Sequence, residues 1–215
     1  SRDDIARFQG VFMSAISNRR GVLFGLGAVC LAPPALAQPE QAAFPLKVAA
    51  GAEARAKKAE VYDPAYVVLA YPGGDVPDDR GVCTDTVIRA FRHAGVDLQV
   101  EVHEDMAAHF DAYPKSWGLK RPDSNIDHRR VPNLETYFRR KGGARTLSKV
   151  PADYRPGDIV SWRLTGGGLP HIGVVTRKTL NGQPLVAHNI GMGTREEPCL
   201  FDWPMSGWFR FESWT

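Results

Sequence analysis

Several classes of protein are excluded by what this sequence has little of. It contains only three cysteines, Cys30, Cys83 and Cys199, which form neither a C-x-x-C zinc pattern nor the framework of a small disulfide scaffold. No run of Lys and Arg is long enough to form a stripe for nucleic acid, and the formal net charge is only +3. With 215 residues, 43% of them hydrophobic, the chain is expected to form one globular domain with a tail and to need no cofactor.

The apolar segments are also short, and one of them has the composition of an export signal. Within residues 13–37, Asn18-Arg19-Arg20 supplies positive charge, 21–31 is an apolar run too short to span a bilayer comfortably, and 35–37 is a small-residue cleavage site. This pattern predicts a soluble periplasmic or secreted protein that begins near Gln38 and is not inserted in a membrane after signal removal. The arginine pair is compatible with both the twin-arginine and the general secretory route.

We divide the chain into upstream residues and signal peptide (1–37), a linker (38–45) and one domain (46–215) with an insertion around 97–150. The first half of the domain favours helices and the second half favours strands with turn signals between them. An Asn181-Gly182 pair predicts a tight hairpin. The fold class is therefore α+β, with helices first and an antiparallel sheet after them. Predicted helices are 46–61, one starting near Cys83, 104–112 and 132–140, and predicted strands are 159–162, 171–176, 185–189 and 203–214.

Cys83 is the residue around which the first half is organised. Val87, Ile88 and Phe91 follow it at helical spacing, and Gly95 stands where a helix often ends. A thiol in the first turn of such a helix is exposed to the positive end of the helix dipole, which favours the thiolate and suits a nucleophile. The alternatives are a small apolar packing residue and, in an exported protein, a disulfide with Cys199.

Two histidines in the strand region complete a constellation of catalytic type. Alternation places His171, Gly173 and Val175 on one face of a strand, where the glycine leaves space for a helix terminus to pack. His188 lies near the end of the neighbouring strand, opposite the start of the first, and can orient His171 as the third group of a nucleophile–base site requires. Asn189 points to the other face and is the second choice for that role. Taken singly, each histidine is more often a buried residue bonded to backbone.

The order of these elements resembles that of the papain-like NlpC peptidases and the related CHAP amidases, which cut amide bonds in peptidoglycan. In both, a cysteine helix precedes a G-D-x-V-x-W strand, an H-x-G-x-V strand and a strand ending in a polar residue. More closely, the chain resembles the bacterial domain-of-unknown-function family 1287 of the same clan, over roughly residues 45 to 212. The motifs that carry this are Y-P-G-G-D-V-P, R-G-V-C-T-D, W-G-L-K-R-P-D, N-I-D-H-R-R-V-P-N-L, Y-R-P-G-D-I-V and H-N-I-G.

The resemblance implies a role for individual residues. Cys83 is then the nucleophile, His171 the base and His188 the third catalytic residue. Tyr71 occupies the place of the tyrosine that these peptidases set beside the oxyanion site. The chain departs from the NlpC pattern at V-C-T-D, where D-C-S-G is usual, and in its longer insertion, and both departures concern substrate specificity.

These observations lead to the expectation of an exported cysteine amidase or endopeptidase acting on peptidoglycan stem peptides. Asp85 either contacts substrate or braces a loop, and Arg129 and Arg130 are candidates for binding stem-peptide carboxylates. The charged loop 120–130 reads, residue by residue, as solvated surface. An acyltransferase with the same triad and a non-catalytic wall-binding module remain alternatives. No metal site is expected, since His103, His109 and His128 fit no short metal motif. A regulatory protein partner stays open.

Overall fold

The computed structural model describes residues 43–165 and 168–214. The export signal predicted at 13–37 and the start of the linker lie outside the described residues. None of the helices in the described part has the length and hydrophobicity needed to cross a membrane. The predicted fold class is confirmed: α+β, with helices in the first half and an antiparallel sheet in the second.

Four α-helices and seven strands make up the described chain. The helices are α1 (Phe44–Arg55), α2 (Cys83–His93), α3 (Leu98–Ala108) and α4 (Val131–Arg140). The strands are β1 (Val61–Tyr62), β2 (Arg80–Gly81), β3 (Ile159–Arg163), β4 (Pro170–Leu180), β5 (Gln183–Asn189), β6 (Thr194–Glu197) and β7 (Met205–Phe209).

Strands β3 to β7 form one sheet in the order β6-β5-β4-β3-β7, and every neighbouring pair is antiparallel. The predicted turn between β4 and β5 is present, with Asn181 and Gly182 both at positive φ. Strand β6 was not predicted, because its sequence T-R-E-E has no apolar alternation. The last strand covers only the centre of the predicted 203–214.

The helices differ from prediction mainly at their ends. Helix α1 ends at Arg55 rather than 61, since Val61–Tyr62 instead pairs in parallel with Arg80–Gly81. Helix α3 begins six residues before the predicted start, because Asp97 caps it by accepting a hydrogen bond from the Gln99 backbone N–H at 3.0 Å. Helix α2 starts at Cys83 as predicted, and Gly95 follows it at a φ of +90°.

Each face of the sheet is covered by its own apolar cluster. On one face, Val87, Ile88 and Phe91 of α2 pack with Ile172 and Val174 of β4. The other face carries a second cluster that includes Trp162, Val175, Val186, Cys199 and Trp208. Because successive strand residues point to opposite faces, the sheet has a helix-covered side and an opposite side, and the candidate site draws on both.

Candidate active site

Cys83 is the first residue of α2, and its side chain is buried against the start of β4. The backbone N–H groups of Ile172, Thr84 and Cys83 itself lie near its sulfur and favour the thiolate. Asp85 accepts a 2.7 Å hydrogen bond from the N–H of Val82 and so closes the first turn. Helix α2 therefore presents a thiol at its N-terminus, close to the point where the central strand β4 begins.

Burial is the main influence on the protonation state of this thiol. With the nearby charge of Asp85, it raises the pKa of Cys83 to about 12, although the backbone N–H groups act in the opposite direction. The N-terminus of α2 favours the thiolate but does not compensate the loss of solvation, so the thiol is protonated near neutral pH. A reaction at Cys83 needs a base that removes the thiol proton as attack occurs.

Cys83 lines a cavity of about 240 Å³ that opens to solvent. Tyr62, Trp117 and Arg130 form walls of this cavity. Tyr71, predicted beside the oxyanion site, is not among the described residues that line it. It is half-exposed and packs its ring edge against His103, with the ring centroids 5.1 Å apart. The tyrosine next to Cys83 is Tyr62, whose pKa is raised by burial and by the charges of Cys83 and Asp85.

His171 and His188 form the predicted pair. The Nε2 of His171 lies 2.8 Å from the Nδ1 of His188, and both rings are almost completely buried. Trp162 stacks on His171 with ring centroids 5.6 Å apart, and the edge of Trp203 faces both imidazoles. Burial lowers the pKa of His171 to about 3 and lowers that of His188, so both rings are neutral near physiological pH.

The two histidines lie on the opposite side of the sheet from the apolar face of α2. His171 pairs with Trp162 across β3 and β4, and Trp162 belongs to the second apolar cluster. The predicted reason for Gly173 is wrong, since a Cβ there would meet Val186 Cγ1 at 2.7 Å and His188 Cβ at 3.1 Å rather than helix α2. The glycine makes room for His188.

Cys83 and His171 nevertheless lie at the same short segment of backbone, at the start of β4. The backbone N–H of Ile172 lies near the sulfur of Cys83, and His171 is the residue that precedes Ile172. No hydrogen bond between Cys83 and His171 is present in the described chain, and none engages the Nδ1 of His171. The structure thus brings together His171 with His188, and places Cys83 at the backbone next to them.

Asp85 and Arg129 bind each other rather than facing solvent. Two hydrogen bonds of 2.9 Å join the carboxylate of Asp85 to the guanidinium of Arg129, which also donates to the carbonyl of Ala65. Both side chains are buried. The bracing role considered for Asp85 is therefore present. Each of the three nitrogens of Arg129 donates to a protein acceptor, and Arg129 also lines the cavity of Cys83.

Arg130 is the second predicted cation in the cavity wall. Its guanidinium lies over the ring of Trp117, with 4.2 Å from its central carbon to the ring centroid, and it pairs with Asp127 at 3.3 Å. The expectation of solvated surface for 120–130 is wrong for the 3-10 turn Asp127–Arg129, which is buried. The charged side chains of this turn, Asp127 and Arg129, form ion pairs within the protein instead of facing solvent.

Asn189 has a structural role on the helix-covered side. Its side-chain amide donates to the carbonyl of Gly81 at 3.2 Å, and its side-chain oxygen accepts from the N–H of Gly191 at 3.1 Å. As predicted, it points away from the face of His188. It ties the end of β5 to the residues that lead into α2, and His188 is the residue in contact with His171.

Sequence reasoning missed three residues of this region: Tyr62, Glu197 and Cys199. Glu197 lies 3.0 Å and Cys199 3.2 Å from the Nε2 of His188. Cys199 and Cys83 are both free cysteines, so the disulfide alternative is absent from the described chain. The contact of Glu197 with His188 could have been found only from the pairing of β5 with β6, which the sequence pattern did not reveal.

Three comparisons relate the chain to known proteins. It is 58% identical over 180 residues, 83% of this chain and 87% of the relative, to "Uncharacterized protein YijF" of Escherichia coli strain K12. The solved structure of NlpC1 from Trichomonas vaginalis is similar at 16% identity and a TM-score of 0.43, covering 81% of this chain and 46% of that one. The family model "Domain of unknown function (DUF1287)" matches residues 49–211. The predicted family is confirmed: this chain belongs to the DUF1287 family.

Proposed function

We propose that this protein is an exported cysteine amidase or endopeptidase that hydrolyses amide bonds in peptidoglycan stem peptides. The observation that carries the proposal is the hydrogen bond between the Nε2 of His171 and the Nδ1 of His188, next to the backbone N–H of Ile172 that lies near the thiol of Cys83. An imidazole held at one nitrogen by a second polar group, with its other nitrogen unbonded, is the arrangement that a cysteine nucleophile requires of its base.

In the proposed reaction, the Nδ1 of His171 removes the proton from the Cys83 thiol as the sulfur attacks the amide carbonyl carbon. The carbon–nitrogen bond then breaks, and the imidazolium of His171 gives its proton to the leaving amine. Water next attacks the thioester carbon while His171 removes one of its protons. The carbon–sulfur bond breaks, His171 returns that proton to the sulfur of Cys83, and the carboxylic acid product leaves and ionises. A neutral His171 has the unprotonated nitrogen that this role requires.

The developing oxyanion needs hydrogen-bond donors at the start of α2. Tyr62 is a candidate donor, because it lines the cavity of Cys83 and its raised pKa keeps the phenol protonated. The positive end of the α2 dipole acts in the same direction. Removing one oxyanion donor typically lowers kcat by about 10²–10³. We therefore expect Tyr62→Phe to reduce kcat, and Tyr71→Phe, which changes an exposed phenol away from this cavity, to serve as its control.

The cavity has the chemistry expected of a site for an acidic peptide. Arg130 and Trp117 form a cationic and aromatic wall, and the side chains of Tyr62 and Trp117 are about two-fifths exposed at its mouth. A guanidinium held over an aromatic ring is preorganised to bind a carboxylate of the stem peptide. The peptide class comes from the resemblance of the sequence motifs to the cell-wall amidases.

The test is digestion of purified sacculi by the mature protein, read by mass spectrometry of the released fragments. Cys83→Ala is compared with Tyr71→Phe, which changes a side chain away from the cavity. Fragments released by wild type and Tyr71→Phe, and lost in Cys83→Ala, are the expected result, and their masses identify the bond. Equal release by Cys83→Ala would refute the proposed nucleophile.

A second candidate function is binding of wall peptides without catalysis. The observation that favours it is the buried Cys83 thiol with a pKa of about 12 and no contact with a base in the described chain. This function predicts that wild type and Cys83→Ala bind stem peptides equally and that neither releases fragments. Calorimetric titration with a purified stem peptide, alongside the digest, separates the two functions.

A further inference from the structure

The histidine pair has a further partner that takes no part in the mechanism above. Glu197 is the last residue of β6 and pairs with Val186 of β5, which brings its carboxylate to the outer nitrogen of His188. The distance from its Oε2 to the Nε2 of His188 is 3.0 Å. The carboxylate is two-fifths exposed, whereas the ring it contacts is buried. A solvent-facing acid thus ends a chain of three side chains that begins at His171.

This contact determines which nitrogen of His188 carries the proton. An ionised carboxylate only accepts hydrogen bonds, and an unprotonated Nε2 at 3.0 Å would face it with two lone pairs and no hydrogen between them. The neutral ring has one N–H group, so that group is at Nε2. The Nδ1 of His188 is then an acceptor, and the hydrogen bond at 2.8 Å must be donated by the Nε2 of His171.

The position of this proton also determines the state of the Nδ1 of His171, the nitrogen that acts as the base in the proposed reaction. A neutral His171 that carries its proton on Nε2 has an unprotonated Nδ1, which is the form that can accept a proton. The reverse arrangement, with Nδ1–H on both rings, would remove the base. The state of the pair is therefore decided at the outer nitrogen of His188.

Cys199 contacts the same outer nitrogen of His188, and a hydrogen bond donated by its thiol would favour the opposite tautomer. Its sulfur lies 3.2 Å from the Nε2 of His188, and burial, with the charges of Glu197 and Asp202, raises the pKa of the thiol to about 12. A thiol that donated to this nitrogen would require the proton of His188 on Nδ1, and so would produce the form of His171 that cannot act as a base. With Glu197 present, the sulfur is left as a weak acceptor.

We propose that Glu197 is a positioning residue, which acts through His188 to hold His171 with its Nδ1 unprotonated. The effect on catalysis rests on the proposed function, whereas the placement of the protons does not. Two experiments keep these apart.

The first experiment measures the tautomers directly. Long-range ¹H–¹⁵N correlation spectra of the protein labelled at its six histidines distinguish protonated from unprotonated ring nitrogens. We expect His188 and His171 both as Nε2–H tautomers in wild type and in Cys199→Ala, and loss of that state in Glu197→Ala. An Nδ1–H tautomer of His171 in wild type, or an unchanged state in Glu197→Ala, would overturn the proposal without reference to activity.

The second experiment measures hydrolysis across pH. General-base catalysis contributes about 10²–10⁴ in rate, so a relay in the wrong tautomer should lower kcat at least tenfold. We expect that loss in Glu197→Ala with KM changed less than about twofold, partial recovery in Glu197→Asp, and an unchanged pH profile in the control Tyr71→Phe. Full activity of Glu197→Ala would overturn the positioning role. Wild type without hydrolysis would refute the proposed function, and the spectra alone would then decide the tautomers.

Discussion

The buried pair of Asp85 and Arg129 gives the sharpest prediction of stability. Two hydrogen bonds of 2.9 Å join the side chains, which are only 3% and 2% exposed. Replacing Arg129 with Met removes one charge and leaves the carboxylate of Asp85 without its counter-charge in the interior. The same carboxylate also accepts from the N–H of Val82, so the first turn of α2 and the position of Cys83 depend on it.

The expected cost follows from that geometry. Breaking a buried ion pair by removing one partner costs about 3–5 kcal/mol, because a buried charge is left uncompensated. For a domain of this size, each kcal/mol lowers Tm by about 2–4 °C, so Arg129→Met should lower Tm by roughly 6–20 °C.

Urea denaturation followed by circular dichroism measures this cost. The control is Arg139→Met, whose guanidinium is about half-exposed and lies 3.7 Å from Glu135, so a change below about 1 kcal/mol is expected. The double variant Asp85→Leu with Arg129→Met removes both charges and should recover part of the loss, because the N–H of Val82 then lacks its acceptor. An Arg129→Met protein within about 1 kcal/mol of wild type would refute the reasoning.

Three further predictions concern single residues. Gly173→Ala should destabilise by about 1–3 kcal/mol in denaturation, because its Cβ would lie 2.7 Å from Val186 Cγ1 and crowd His188; an unchanged midpoint would contradict this. Alkylation of Cys83 by iodoacetamide should accelerate about tenfold per pH unit up to pH 10, since its pKa is about 12, and a plateau near neutral pH would contradict it. His128 has its pKa lowered from 6.5 to about 4 by burial, so the unfolded chain binds a proton that the folded chain does not. This difference in pKa contributes roughly 3 kcal/mol to the free energy of unfolding, which is fully present above pH 6.5 and is lost as pH falls toward 4. In denaturation titrations, His128→Gln should make the free energy of unfolding depend less on pH over that range.

The parts of the fold that follow from local pattern could be predicted. The spacing of Val87, Ile88 and Phe91 with Gly95 behind them located α2, and Asn181-Gly182 located the hairpin. Alternation along β4 and β5 then paired His171 with His188, as found at 2.8 Å. Each inference used residues within one helix or one hairpin.

The features that depend on residues distant in the chain could not be predicted from the sequence. Arg129 reads as a surface cation until its partner, 44 residues away in the chain, is known. Pattern gives the two faces of a strand but not which one a helix covers, and for this reason Gly173 was assigned to the wrong neighbour. The same limit hid Glu197, whose contact with His188 depends on the register of β5 and β6. The position of Cys83 at a helix start indicated what favours its thiolate, but its burial, which outweighs that influence, could not be deduced from helix position alone.

The most direct test of the proposed chemistry is to trap the thioester. Wild-type protein is mixed with a purified stem peptide, quenched in acid during turnover, and digested for peptide mapping by mass spectrometry. The account predicts an acyl adduct on the peptide that contains Cys83, which is absent after hydroxylamine treatment. Turnover with no adduct on Cys83, or with the adduct on Cys199, would contradict it.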